Sequence, residues 1–192
     1  MTPQLAINYL WIVWAISWLV AAFWSERTAK RPGFNDELLY RVVTLAGAAL
    51  LFGFTNRTYR SHLALWSLGE TENWILFAIC AGGFLFCWWA RLHLGKLWSG
   101  WITRKEGHRI VDTGPYGIVR HPIYTGLIAS AFATAIMKAT ALALAGAAIM
   151  TLGFWIKARL EERFLREQLG TTDYDAYRRR VPMLLPFGPK AA

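Results

Sequence analysis

GPYGIVRHPIYTG, residues 114–126, stands where a polar segment gives way to an apolar one. Pro122–Met137, which begins inside it, is sixteen residues without Asp, Glu, Lys or Arg. Pro122 locks the chain directly after the Arg120-His121 pair. The stretch therefore reads as the start of a membrane helix. Yet Tyr116, Arg120, His121 and Tyr124 crowd that start, and a helix needs none of them to begin. The combination reads as a site at the boundary of the bilayer.

Outward from this point the chain carries four more apolar runs. Leu5–Trp24, Asn73–Ala90 and Ala139–Ile156 hold 20, 18 and 18 residues without a charge. A run of about 18 or more is long enough to span hydrocarbon. Leu38–Phe54 holds 17 residues and one charge, Arg41, placed to snorkel toward headgroups. With Pro122–Met137 this makes five spans. Hydrophobic residues make up 55% of the 192 and charged residues 17%, below the share in soluble domains. Mean hydropathy is +0.29. The expected fold is an all-α integral membrane protein of about five transmembrane helices. Leu5–Trp24 is expected to remain as a helix rather than be cleaved, since no basic residue precedes it.

Charge placement orients the chain. With the N-terminus outside, segments 25–41, 91–121 and 157–192 face inward and carry 4, 6 and 8 Lys and Arg; the outward segments carry 3. The positive-inside rule selects this topology, with a cytoplasmic C-terminus. It also accounts for the net charge of +9 without nucleic acid as a partner. Cys80 and Cys87 lie seven apart inside one span and read as small buried apolar groups. His62, His93, His108 and His121 show no metal-ligand spacing, so no metal is expected.

Two parts are expected: 1–90, three N-terminal spans, and 91–192, a polar segment, a transmembrane hairpin and charged C-terminal helices. Arg91–His121 is long for a plain connection and too apolar for disorder, with Trp98, Trp101 and Ile102 among its residues. It should lie at the cytoplasmic membrane face. The hairpin turns at Met137–Thr140. Gly126, Ser130 and Thr134, and Ala143 and Ala147, form small-residue rows that let helices approach closely. After Ile156 the helical pattern continues through KARLEERFLREQLG, with Leu160, Phe164, Leu165 and Leu169 on one side and Gly170 as a stop. A short helix carrying Tyr174 and Tyr177 follows, capped by Thr172 or Asp173. Val181–Phe187 is an apolar patch placed to dock back.

The hairpin brings Tyr116, Arg120, His121 and Tyr124 to the same membrane face as Lys157, Arg159, Glu161 and Glu162. Ionisable groups at such a boundary need partners, and both signs are present. A ligand with a cation, a carboxylate and a flat ring suits them: tyrosine faces and carboxylates for the cation, an arginine fork for the carboxylate. S-adenosylmethionine has these features. NADPH is the rival, although it calls for more bases and fewer acids. Soluble nucleotide folds are not supported, because no Gly-x-Gly-x-x-Gly or Walker loop is present.

These residues resemble a known family. Leu94-Gly95-Lys96-Leu97-Trp98, Gly114-Pro115-Tyr116 and Arg120-His121-Pro122-Ile123-Tyr124-Thr125-Gly126 are similar to the signature of the isoprenylcysteine carboxyl methyltransferase family and its phospholipid methyltransferase relatives. Glu161-Glu162, Gly170, Tyr174, Tyr177 and Arg180-Val181-Pro182 resemble its second block. The resemblance covers about 91–188, and none is seen in the first three spans. It implies a multi-pass enzyme of the prokaryotic inner membrane that uses S-adenosylmethionine, releases S-adenosylhomocysteine and takes a lipophilic acceptor from the bilayer. The cofactor pocket would lie at the cytoplasmic ends of the last two spans. Tyr116, Arg120, His121, Pro122 and Tyr124 would line it, Glu161 and Glu162 would face its cationic or ribose groups, and Leu94, Leu97 and Trp98 would cover adenine. Arg159, with Lys157 as alternative, would hold a substrate carboxylate, and Glu162 would act in catalysis. The leading acceptor is the carboxylate of an isoprenylcysteine-like molecule. A phospholipid amine or a small thiol is the alternative, and an NADPH-dependent sterol-reductase-like activity stands behind both.

Overall fold

The computed structural model describes residues 1–23, 28–30, 34–53, 63–98, 104–105, 110–169 and 171–190. In chain order these form α1 (Pro3–Ala22), β1 (Thr28–Lys30), α2 (Phe34–Gly53), α3 (Glu70–Leu94), a 3-10 turn (Gly95–Leu97), β2 (Arg104–Lys105), α4 (Pro115–Ile118), α5 (Pro122–Lys138), α6 (Ala141–Leu169) and α7 (Thr171–Arg180). Each of the five apolar runs is thus a helix. Three segments, Pro3–Ala22, Glu70–Leu94 and Ala141–Glu167, are long and apolar enough to cross a membrane. The outward face of α1 carries exposed Leu5, Ile12, Val13, Ile16, Leu19 and Val20. A contiguous apolar face of this kind suits hydrocarbon rather than water.

The helices stand in a row, with α1 on α3, α3 on α5, α5 on α6 and α6 on α2. Small residues set the spacing. Gly83 of α3 and Gly126 of α5 meet back to back. A Cβ on Gly126 would fall 2.6 Å from the Cys87 sulfur and even closer to the Gly83 carbonyl. Ser130, next on the same row, donates to the Cys80 carbonyl at 3.0 Å and is fully buried. Thr134 extends the row and accepts the Trp11 indole N–H at 2.9 Å. Ala143 and Ala147 are buried on α6, and Gly146 meets Gly47 of α2 in another close contact. Cys80 and Cys87 are free thiols inside this packing.

Several boundaries differ from the sequence reading. α3 runs four residues past Ala90, to Leu94. Arg91 stays in the helix because its charge has partners there: it donates to the Ala21 carbonyl at 2.8 Å and to the Gly95 carbonyl at 2.6 Å. It thereby serves the carbonyl ends of both α1 and α3. A short strand pair accompanies the helices. β1 and β2 pair antiparallel, Thr28 with Lys105 and Lys30 with Arg104. This joins the α1–α2 connection to the 91–121 segment. The hairpin turns through Ala139 in the left-handed conformation, φ 55°. α6 continues unbroken to Leu169, as its pattern predicts. Its apolar residues divide between two patches, however. Phe164 and Leu160 pack on Tyr40 of α2, whereas Leu165 packs on Tyr174 and Tyr177. Trp101, Ile102, His62, His108 and Gly170 lie outside the described residues, as do the side chains of Leu169 and Lys96.

Candidate functional site

The chemistry gathers where α4 leads into α5. α4 is one turn, opened by Gly114 at φ 57° and Pro115. Its brevity leaves Val119–His121 outside the helices and beside the tail, with Val119 extended. Arg120 N–H donates to the Pro182 carbonyl at 2.9 Å and His121 N–H to that of Met183 at 3.1 Å. Thr125 Oγ1 adds a bond to the Leu184 carbonyl at 2.6 Å. The expected docking of the tail thus involves Val181–Leu184, while Leu185 and Phe187 face outward.

Glu162 of α6 is the hub of this region. Arg120 Nε donates to its Oε1 at 2.7 Å and Nη2 to its Oε2 at 3.2 Å, a two-point fork. The two side chains are 4% and 5% exposed. His121 Nε2 stands 3.2 Å from Glu162 Oε1, and Arg178 Nε of α7 stands 3.3 Å from Oε2. Arg120 also donates to the carbonyls of Arg178 and Val181. One carboxylate therefore ties together the start of α5, α6, α7 and the tail. Burying such charges is tolerable only because each has several partners.

Glu161 differs. Its side chain is 28% exposed, and its Oε2 accepts the Tyr124 hydroxyl at 2.7 Å. His121 Nδ1 lies 3.8 Å from the same oxygen. The His121, Tyr124 and Phe154 rings form a stack, with centroids 5.2 Å and 5.5 Å apart and planes within 6° and 13°. Lys157 Nζ lies 5.3 Å from the Tyr124 centroid and 5.4 Å from that of Tyr40 on α2. The arrangement offers a flat aromatic wall, a half-open carboxylate and a neighbouring cation. Beside it, Tyr177 donates its hydroxyl to the Tyr116 carbonyl at 2.8 Å. Burial pushes the Tyr116, Tyr174 and Tyr177 phenols up from their ordinary range, so they stay neutral.

The expected residues are not all together. Arg120, His121, Tyr124, Glu161 and Glu162 meet directly, with Tyr116 and Pro122 buried beside them. Arg159 does not join them. It is exposed with Trp155 and Arg163 on one α6 face, while Ala158 and Glu162 face inward, and its guanidinium lies over Trp155 at 5.5 Å. Helical phase points the two faces apart. Lys157 is the basic residue on the inner side. Trp98 packs edge-on against Trp18 of α1 and beneath Arg91 at 4.4 Å, with Leu94 and Leu97 half-buried nearby in sequence. None of the three touches the Glu162 hub through a hydrogen bond or ring contact among the described residues.

Residues 74–167 match the isoprenylcysteine carboxyl methyltransferase (ICMT) family. The match takes in just under half of the chain. It is 34% identical over 87 residues to protein-S-isoprenylcysteine O-methyltransferase B of Arabidopsis thaliana, covering 45% of this chain and 44% of that one. It is 42% identical over 180 residues to methanethiol S-methyltransferase 1 of Bradyrhizobium diazoefficiens, covering 92% of this chain and 53% of that one. It is 31% identical over 121 residues to nickel-cobalt-cadmium resistance protein NccN of Alcaligenes xylosoxydans xylosoxydans, covering 60% and 53%. The chain spans about half the length of these relatives.

The ICMT match starts within α3, earlier than the motifs at 91–188 suggest, and ends within α6. It contains Arg120, His121, Tyr124, Glu161 and Glu162 but neither Arg178 nor the tail that clamps them. Sequence reasoning passed over Glu37, Tyr40 and Arg178. Glu37 and Arg41 are an i,i+4 ion pair at the start of α2. That spacing was a readable signal, since a lone snorkelling arginine needs no acid one turn before it.

Proposed function

We propose that this protein is a membrane methyltransferase that uses S-adenosylmethionine and works at the His121–Tyr124–Glu161 surface. The observation that supports this best is the ring stack set beside a carboxylate that is still part-open in a chain that matches a family of this name. The residues fit the cofactor. The ring wall suits a flat base or a cation, and Glu161 suits an ammonium or ribose hydroxyls. Bound there, S-adenosylmethionine supplies a methyl group on a sulfonium, open to in-line displacement by a nucleophile.

The chain's own residues do the rest. Arg120, Arg178 and Glu162 hold the start of α5 in place, which fixes His121 and Tyr124. Tyr124 and His121 orient Glu161. Lys157 presents a positive charge to the incoming acceptor, the part expected of Arg159. Packing of α5 on α3 and α6 keeps water out and the reacting groups in register.

In this reading residues 1–90 contribute three spans and 91–192 the catalytic part. All five apolar helices cross a prokaryotic inner membrane, with the N-terminus outside and the site on the cytoplasmic side. The acceptor is apolar and reaches the site from the lipid. A compact thiol is favoured, since the match to methanethiol S-methyltransferase 1 takes in nearly the whole chain. The carboxylate of an isoprenylcysteine-like molecule is the second reading, carried by the match to the Arabidopsis enzyme. The test is transfer of labelled methyl from S-adenosylmethionine by detergent-purified protein to an alkyl thiol and to a farnesylcysteine analogue. Labelled thioether supports the first reading and labelled ester the second. No transfer to either overturns both.

A further inference from the structure

α2 lies wholly outside the segment that matches the family, yet it reaches the site. Its first turns carry the Glu37–Arg41 ion pair, which uses only Oε2 of the carboxylate. The Glu37 side chain is 5% exposed, and its Oε1 is buried without a hydrogen-bond partner among the described residues. Folded proteins rarely leave a carboxylate oxygen in that state, and each case calls for an explanation. Glu37 lies within electrostatic reach of Tyr40 on α2 and Lys157 on α6, and Glu161 of α6 lies within reach of both of those. Lys157 Nζ also lies near both the Tyr40 ring and the Tyr124 ring of α5, at 5.4 Å and 5.3 Å from their centroids. Lys157 thus links the surroundings of Glu37 to the ring stack. The match to methanethiol S-methyltransferase 1 covers 92% of the chain, and any stretch that long includes α2.

We propose that the acceptor thiol is received between α2 and α6, where Glu37 Oε1 takes its proton and Lys157 Nζ holds the thiolate. The inference rests on the methyl-transfer reading. The S–H bond breaks, the proton passes to Oε1, and the electron pair stays on sulfur as the nucleophile. Water later takes the proton and restores the carboxylate. A thiol is a weaker acid than a carboxylic acid, so this transfer is uphill. The Lys157 charge narrows the gap by favouring the thiolate. The same residues discriminate among acceptors. A carboxylate is already ionised at neutral pH, so it has no proton for Oε1 and meets two like charges, Glu37 and Glu161. The site therefore selects a thiol over a carboxylate.

The test is Glu37→Gln in the full chain, assayed with ethanethiol. Turnover at pH 7 is expected to fall about a hundredfold, the usual scale of a lost general base. The remaining rate should climb about tenfold per pH unit as the thiol ionises in solution. Thiophenol, already ionised near neutrality, should be methylated by the variant at close to the wild-type rate. S-adenosylhomocysteine affinity, measured by calorimetry, should stay within about twofold. In protein without cofactor, bound thiophenol should ionise at lower pH than in water, read by thiolate absorbance, and Lys157→Met should abolish that shift. Arg41→Gln breaks the same ion pair but should keep the shallow wild-type pH profile. A wild-type ethanethiol rate and profile in Glu37→Gln, with S-adenosylhomocysteine still bound, overturns the proposal alone. So does the steep profile in Arg41→Gln, which would make the ion pair a structural element. Failure of the wild-type protein to bind S-adenosylhomocysteine overturns the methyl-transfer reading and the proposal with it.

Discussion

The two halves of the chain hold themselves together in opposite ways. Between α1 and α3, packing is aromatic: Trp11, Trp14 and Phe84 meet at centroid distances of 4.7–6.1 Å, and Trp18 contacts Trp14, Trp88 and Trp98. Around Glu162, packing is ionic, with four charged or ionisable side chains from three elements on one another. Ring contacts are individually weak and tolerate exchange at constant volume. A buried ionic network tolerates no loss of a member, since each partner left behind is an uncompensated charge. This explains why the motifs crowd the second half. Their residues are fixed by one another, whereas many sequences would satisfy the first half.

Four substitutions probe that contrast. Arg120→Ala strands Glu162 with His121 and Arg178. It is expected to cost about 3–5 kcal/mol, much of a domain's stability, and to lower the melting temperature more than any other change. A melting shift no larger than that of a surface mutant would break the comparison. Gly126→Leu comes next. It drives side-chain atoms into the Gly83 backbone and the Cys87 sulfur, with an expected loss of about 1–3 kcal/mol, read by the same melting assay. Trp14→Phe, by contrast, should change stability by less than about 1.5 kcal/mol, because a large ring remains between Trp18 and Phe84. Asp175→Asn is the smallest. Hydrogen bonding to Arg166 holds the Asp175 carboxyl below its ordinary range. Its contribution is therefore present above the unfolded carboxyl's range and lost as the pH falls through the folded one. Wild type and variant should differ slightly in melting at pH 7 and converge in acid.

Much of the fold was legible because apolar run length is a property of sequence alone. All five runs are helices, and the continuation of α6 beyond Ile156 follows from Leu160, Phe164 and Leu165. What misled was reading charge as an end of structure. Arg91 looks like a loop residue, but backbone carbonyls of two helices receive its guanidinium. Arg41 looks like a snorkel, but its partner is Glu37. Both partners lie in three dimensions or one helical turn away, and an uncharged-run count does not register them. Within the site, the cluster of Arg120, His121, Tyr124, Glu161 and Glu162 was legible from motif and hairpin. The choice between Lys157 and Arg159 was not. It depends on the rotation of α6, which its packing against α2 and α5 sets.

That rotation gives a sharper version of the same comparison. Lys157→Met should reduce methyl transfer about tenfold or more, the scale of a lost charged contact to the acceptor. Arg159→Ala, on the outer face, should change it less than about twofold. Equal losses would return Arg159 to the site and contradict the phase of α6.

In the proposed function the ring stack and Glu161 hold the methyl donor. The most direct test is calorimetric binding of S-adenosylhomocysteine to detergent-purified wild-type and Glu161→Ala protein, with NADPH titrated in parallel. Wild type is expected to bind S-adenosylhomocysteine and not NADPH, and Glu161→Ala to weaken that binding at least tenfold with the melting temperature preserved. Binding of NADPH alone, or S-adenosylhomocysteine affinity unchanged in Glu161→Ala, would contradict this function.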